Sequence, residues 1–440
     1  MRMVRIGDNL MRKLKNSDIE WIGEIPTEWK TDRLQWHLKE IKVQNSPVRS
    51  EQVLSLTIET GVIPYEDKGN QGNKAKENYE EYKLAYPDTL VVNSMNVIIG
   101  AVGISKYFGC VSPVYYVFKA TEDTDLRYIY YLFTNVGFQK EMRKYAKGIL
   151  EIRLRISSAD MLKRIIPKPS YEEQKRIADF LDRTCAEIDT VIEKTKATIE
   201  EYKKLKQSVI TEAVTKGIRG DRAMKDSGIE WIGDIPAEWE ITRVKNVATK
   251  LQKGNGITKE DIVANGDTPC VRYGEIYTKY NQSFTECVTR TNRDIIGAPK
   301  YFTCGDILFT CTGELVEEIG KSIVYLGSGE CLAGGDIIIM SHKQNPAFLN
   351  YALNSAYAQA QKSCDKTKLK VVHISADDIC NVVIALPSIS EQEKIADYLD
   401  RKCAEIDKLI ADKTHLLEEM ESYKKSVIYE YVTGKKEVVL

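Results

Sequence analysis

The residues best equipped for chemistry in this chain are cations placed among aromatic and polar side chains, and the chemistry they suit is binding a polyanion. Lys140, Arg143, Lys144 and Lys147 crowd one stretch, and Arg153 and Arg155 follow in ILEIRLRIS. Lys366, Lys368, Lys370 and His373 stand in KTKLKVVHIS, at the corresponding place of a second copy. A shift of 218 positions carries Arg155 onto His373 and Arg153 onto Val371. Arg272, Tyr273, Tyr277 and Lys279 form a further cluster with aromatic residues interleaved. Arginine and lysine supply phosphate contacts to nucleic acid, while a few polar side chains read base edges. A solvated charged face is the competing reading of each cluster.

Catalytic chemistry finds no comparable foothold. Gly320-Lys321-Ser322 has the ending of a phosphate loop, but that loop needs a glycine at position 315, where Leu315 stands. Asn345-Pro346-Ala347-Phe348 resembles the Asn-Pro-Pro-Tyr/Phe signature with which amino-methyltransferases hold a flipped base. No glycine-rich cofactor loop after a strand accompanies it, and Asn345 reads better as a helix cap with Pro346 at the first helical position. Only four histidines are present (His37, His342, His373, His415), and the ten cysteines include no C-x-x-C pair. Zinc-site spacing is therefore missing, and no Ser/His/Asp or Cys/His arrangement can be picked out. The chain is expected to catalyse nothing itself and to carry no metal or cofactor of its own. Its thiols are expected to be buried and reduced.

The elements that must position these clusters come in duplicate. SDIEWIGEIPTEWK (residues 17–30) returns as SGIEWIGDIPAEWE (residues 227–240), with Trp21 and Trp231 standing 210 positions apart. SYEEQKRIADFLDRTCAEID (170–189) returns as SISEQEKIADYLDRKCAEID (388–407), with Gln174 and Gln392 standing 218 apart. A period this long is no solenoid repeat. It marks two tandem copies of a domain-sized unit, whose intervening segments have diverged almost completely. Each copy carries a glycine- and proline-free stretch with apolar residues at 3–4 spacing. Ala178, Leu181, Cys185, Ile188, Ile192, Ile199, Tyr202, Val209 and Ala213 make the first stripe, and the shift of 218 generates the second. The pattern predicts a long helix with a coiled-coil seam in each copy, some 44 residues spanning roughly 65 Å. Thr195 and Lys206, matched by Lys413 and Lys424, interrupt both seams alike. In the second copy Ser388 or Ser390 can cap the helix, with Glu391 or Glu393 answering free backbone donors. Gly217 suits the left-handed cap at the end of the first helix. The diverged regions, about 30–165 and 240–385, read as mixed α/β. Short strands such as 89–92 and 336–340 precede helical stretches at 126–147 and 346–362.

Composition sets the outer limits. At 440 residues two to three domains are expected, and 43% hydrophobic with 29% charged residues fits a soluble globular chain. A net charge of −1 argues against a generic polyanion binder, although a basic face on one domain fits inside a neutral total. There is no apolar leader and no run of membrane-spanning length, so a cytoplasmic location without membrane contact is expected.

Trp-Ile-Gly-x-Ile-Pro-x-x-Trp before each diverged segment, and Glu-Gln-x-x-Ile-Ala-x-x-Leu-Asp opening each helix, resemble the specificity subunit of type I restriction–modification systems. The resemblance covers nearly the whole chain, with both motifs present twice and in the family's order. GCVSPVY (109–115) also resembles a segment of that family's target-recognition domains; the second copy has Gly329-Glu330-Cys331-Leu332-Ala333 there. The fold implied is α+β: two similar α/β target-recognition domains separated by two long antiparallel coiled-coil helices, as a pseudo-two-fold internal repeat. The implied boundaries are 1–168 for the first recognition domain, 169–217 for the first helix, 218–386 for linker and second domain, and 387–440 for the second helix. Each domain would read one half of a bipartite site in double-stranded DNA, and the helices would set the unspecified spacer. Two modification subunits would bring S-adenosylmethionine and adenine-N6 methylation; restriction subunits would bring ATP, magnesium, translocation and cleavage. A methylation-only system and a non-DNA coiled-coil scaffold are the alternatives.

Overall fold

Strand-forming runs in both diverged segments are apolar at successive positions, and alternate side chains of a strand point to opposite faces. Such strands need cover on both sides. The computed structural model describes residues 12–69, 78–148, 154–295, 297–364, 366 and 371–438. It divides into two units, Met1–Lys196 with His415–Leu440, and Ala197–Thr414.

In the first unit, strands Leu38–Ile41, Tyr115–Ala120, Thr89–Asn93 and Val102–Ser105 lie side by side in that order, all antiparallel. Leu90, Val92 and Phe118 face a core shared with Tyr128, Phe133 and Phe138 of the following helices. Val91 and Val117 face a smaller core with Leu54, Leu56 and Val62 of a hairpin. The second unit repeats the order with Ala248–Lys253, Ile337–His342, Ile307–Thr310 and Ser322–Tyr325, and adds Ser283–Phe284 at the edge. There Ile307, Phe309, Ile338 and Met340 face the helical side, whereas Leu308, Ile323, Ile337 and Ile339 face the other. The repeat is thus one of architecture even where the sequence has diverged. The chain runs into and out of each sheet through a two-stranded ribbon, Lys30–Arg33 with Ile165–Lys168 and Glu240–Arg243 with Val383–Leu386.

Two expected helices are each broken in two. Asn135 follows Leu126–Thr134 and caps Val136–Arg143, its Oδ1 accepting from the Gly137 amide at 2.8 Å. Ser355 does the same between Pro346–Leu353 and Ala356–Ser363. Short polar side chains bond nearby backbone groups, so they favour caps over helix interiors. Asn345 caps the Pro346–Leu353 helix, accepting from the Phe348 amide at 2.9 Å. Gly320 (φ +68) turns the chain into the strand Ser322–Tyr325, whereas a phosphate loop opens a helix.

The long helices are continuous over Tyr171–Lys216 and Ile389–Val432. Gly217 (φ +75) follows the first and Gly434 (φ +70) the second, each in the left-handed conformation that closes a helix. In the first unit, Ile177, Leu181 and Cys185 near the start of one helix share a core with Val427, Ile428 and Val432 near the end of the other. In the second unit, Ile210, Ala213 and Val214 near the end of the first pack with Ile395, Leu399 and Cys403 near the start of the second. Start against end makes the pair antiparallel. The seam lysines are matched by carboxylates, Lys424 with Asp189 and Lys206 with Asp407, each at 2.6 Å. The shift of 218 carries one pair onto the other. Among the described residues, no helix is long and apolar enough to cross a membrane.

One buried cation makes the second unit sensitive to pH. Lys362 is 1% exposed and donates to the Gly320 carbonyl at 2.7 Å. Burial pushes its ammonium from the ordinary 10.5 down to about 7. Between these values the unfolded chain holds a proton that the folded chain lacks, so this group makes stability rise with pH across that window. Lys362→Met removes the rise. The stability of the variant relative to the native protein should be greatest at pH 7 and fall as pH approaches 10. A difference in melting that stays constant from pH 7 to 10 contradicts the assignment.

Candidate nucleic-acid interface

Each domain is anchored to its long helix by the same node. In the first, Arg12 pairs with Glu28 at 2.6 Å and with Glu173, while Trp29 Nε1 donates to Glu173 at 2.8 Å. In the second, Arg222 pairs with Glu391 at 2.7 Å and Glu238 at 3.3 Å, while Trp239 Nε1 donates to Glu391 at 3.0 Å. Both arginines also lie over their tryptophan rings. Glu391, expected to answer backbone donors, is therefore committed to this node, because a buried indole and guanidinium need an acceptor more than a solvated helix end does. Arg12 and Arg222 stand 210 positions apart, so the repeat extends upstream of Ser17, a signal present in the sequence and missed there. The repeated glutamines act alike too. Gln174 accepts from the Asp125 amide at 3.0 Å and Gln392 from the Asn345 amide at 2.9 Å, and both residues so held are helix caps. Tyr131 donates to Asp182 at 2.7 Å and Tyr351 to Asp400 at 2.8 Å.

On this common frame the two surfaces differ. In the first domain, Lys147 and Arg155 bridge through their backbones at 2.8 and 2.9 Å. Arg155 is exposed, and with Lys42 it approaches Lys83, whose ammonium donates to the Tyr115 carbonyl at 2.7 Å and lies over the Tyr116 ring. Burial lowers the Lys83 ammonium from its ordinary value; Arg155 and Lys42 push it the same way, and Glu40 opposes them. Lys42 and Lys83 thus extend the cluster begun by Arg155. Nothing local in the sequence pairs residue 83 with residue 155. Lys144 is used differently, bonding Glu20 of the first motif at 2.6 Å and Glu141 at 3.1 Å. Arg153 lies outside the described residues. A separate concavity of about 780 Å³ beside the hairpin is lined by Thr57, Thr60, Tyr65, Asn96, Ser112 and Tyr115, among others.

In the second domain, Arg272, Tyr273 and Lys279 converge on a concavity of about 800 Å³, together with Thr258, Lys259 and Gly335. Tyr277 turns inward from the same short helix. Its hydroxyl meets Thr310 Oγ1 at 2.8 Å and Lys321 lies over its ring. Lys366 is paired with Asp378 at 2.8 Å. Exposed His373 lies 3.3 Å from Thr312 Oγ1. The residues after Arg155 and His373 hold equivalent places, with the Ile156 amide donating to Ser94 and the Ile374 amide to Cys311, each just past a central strand. Lys368 and Lys370 lie outside the described residues.

Each unit thus carries a two-faced sheet of the same strand order, with its own cations and aromatics, held to a long helix by the same node. Comparison with known proteins agrees. Residues 38–201 and 236–419 match the type I restriction modification DNA specificity domain. The type I restriction enzyme MjaVIII specificity subunit of Methanocaldococcus jannaschii is 27% identical over 285 residues, so the match spans 61% of this chain and only 61% of that relative. The putative type I restriction enzyme MjaX specificity subunit of the same organism is 26% identical over 428 residues, 94% of this chain and 95% of its own. A chain from a structural study of assembly and conformational transition of the type I R-M system superposes with a TM-score of 0.71 at 16% identity, covering 93% of this chain and 99% of its own. The HsdS subunit from Thermoanaerobacter tengcongensis gives 0.50 at 16%, covering 93% and 98%. The chain belongs to the type I restriction–modification specificity family, with one DNA specificity domain in each copy of its repeat.

Proposed function

We propose that the two domains read the two halves of a bipartite site in duplex DNA and direct adenine-N6 methylation and restriction by partner subunits. The observation that supports this best is one frame under two dissimilar surfaces: the same strand order and the same Trp–Arg–Glu node carry a Lys42–Lys83–Arg155 cluster in one copy and an Arg272–Tyr273–Lys279 concavity in the other. A duplicated frame keeps geometry fixed while each surface is free to recognise a different sequence. In this reading two modification subunits dock on the repeated parts and bring S-adenosylmethionine, restriction subunits bring ATP and magnesium, and the complex works in the cytoplasm. The long helices set the spacer between the half-sites. A near-neutral chain suffices because the partners supply much of the attraction to phosphate.

Methylation-sensitive long-read sequencing of a host with and without this chain tests the proposal. An N6-methyladenine motif of two short blocks around an unspecified gap should be present with the chain and vanish on its deletion. A methylation pattern identical in the two strains, with the modification subunit expressed in both, refutes it.

A further inference from the structure

We propose that Arg272 is a specificity-determining residue that reads a guanine in the half-site taken by the second domain, with Glu275 as its positioning residue. This rests on the DNA-reading function proposed above and assigns a role to one side chain within it.

Arg272 precedes the short helix Tyr273–Thr278 and lines the 800 Å³ concavity. Glu275, itself 5% exposed and on the same wall, holds it by three contacts. The Arg272 amide donates to Glu275 Oε2 at 3.0 Å, and Nε and Nη2 donate to Oε1 at 3.2 and 2.9 Å. Thr289 Oγ1 lies 3.0 Å from Oε2 and shares its one proton between that oxygen and the Cys270 carbonyl at 2.9 Å. These bonds use one edge of the guanidinium. The edge formed by Nη1 and the second Nη2 hydrogen is left for a ligand, held in place before the ligand arrives.

Charge decides what that ligand is. Phosphate attraction is a long-range effect of net charge, and an arginine neutralised by a buried carboxylate adds little to it. What the pair offers is two directional donors in a fixed plane, which match the N7 and O6 acceptors that guanine shows in the major groove. Exposed Lys259 and Lys279 line the same concavity without comparable fixation and suit the phosphates on either side. Among the described residues, the concavity of the first domain is lined by no arginine.

The test uses the assembled complex of this chain with its modification subunits on duplexes carrying the site found by methylome sequencing. Arg272→Ala should relax one guanine of the second half-site, lowering discrimination there about ten- to hundredfold, and leave the first half unchanged. Its salt dependence should stay close to that of the native protein, whereas Lys279→Ala should reduce the slope by about one. Glu275→Gln should weaken the guanine preference and steepen the salt dependence, because it frees a cation; a purely structural role for Glu275 moves neither in that sense. In case Arg272→Ala disturbs folding, the native complex is also assayed on duplexes with 7-deazaguanine at each guanine of the second half. One such substitution should reproduce the loss. Unchanged guanine preference in Arg272→Ala, indifference to every 7-deazaguanine, or a sequence-independent loss with a slope lowered by about one overturns the assignment. Failure of the native complex to bind or methylate any bipartite site instead overturns the underlying function.

Discussion

Replacing residues 34–164 with the corresponding segment of a relative of different specificity should change one half of the methylated motif and leave the other half and the gap untouched. The segment lies between the paired strands Lys30–Arg33 and Ile165–Lys168, so the graft retains the ribbon. The graft replaces as one piece the strands that bear Leu90, Val92 and Phe118 together with the cluster around Arg155. Its seat on the long helix depends on few groups. Gln174 must find a helix-cap amide where Asp125 supplies one, Asp182 a hydroxyl where Tyr131 supplies one, and Leu181 an apolar surface. A graft that brings these should fold and transfer its specificity whole, a complete exchange of one half-site rather than a graded loss. Methylome sequencing reads the outcome. A graft that folds yet alters both halves would show that the two domains do not read independently.

The second large effect concerns the end of the chain. Deleting residues 424–440 should unfold the first unit and spare the second, although the linear order places this segment after the second domain. The deletion takes Val427, Ile428 and Val432 from the core that holds Trp29 and Phe138, and removes the Val432 carbonyl to which the buried Tyr128 hydroxyl donates at 3.0 Å. It also removes the Lys424–Asp189 pair and the Lys435 ammonium that donates to the Ile22 carbonyl at 3.0 Å. Losing one large buried aliphatic side chain costs roughly 2–5 kcal/mol. Three together reach on the order of the whole stability of a domain, roughly 5–15 kcal/mol. Limited proteolysis followed by mass spectrometry should show cleavage throughout residues 12–196 while 197–414 resist. Protection of the first unit, or loss of the second in its place, contradicts the discontinuous assignment.

The sequence alone determined whatever is encoded in short windows. The two duplicated motifs, the 3–4 apolar stripe, Asn345 as a cap and Gly217 as a helix end all rest on local periodicity or local backbone preference, and each appears in the structure at its place. The clusters around Arg155 and Arg272 were legible as cations beside polar and aromatic residues. Only the tertiary structure decided which of those side chains are available. Tyr277 points into the domain, Lys366 is bound to Asp378 and Lys144 to Glu20, whereas Arg155 is exposed. It alone decided that Glu391 serves an indole and that residues 415–438 complete the first unit. The physical reason is the same in each case. A cap or a stripe is selected by neighbours within a few residues, but a partner from another element is selected by packing and by the need of buried polar groups for partners. Those requirements exist only once the chain has closed on itself.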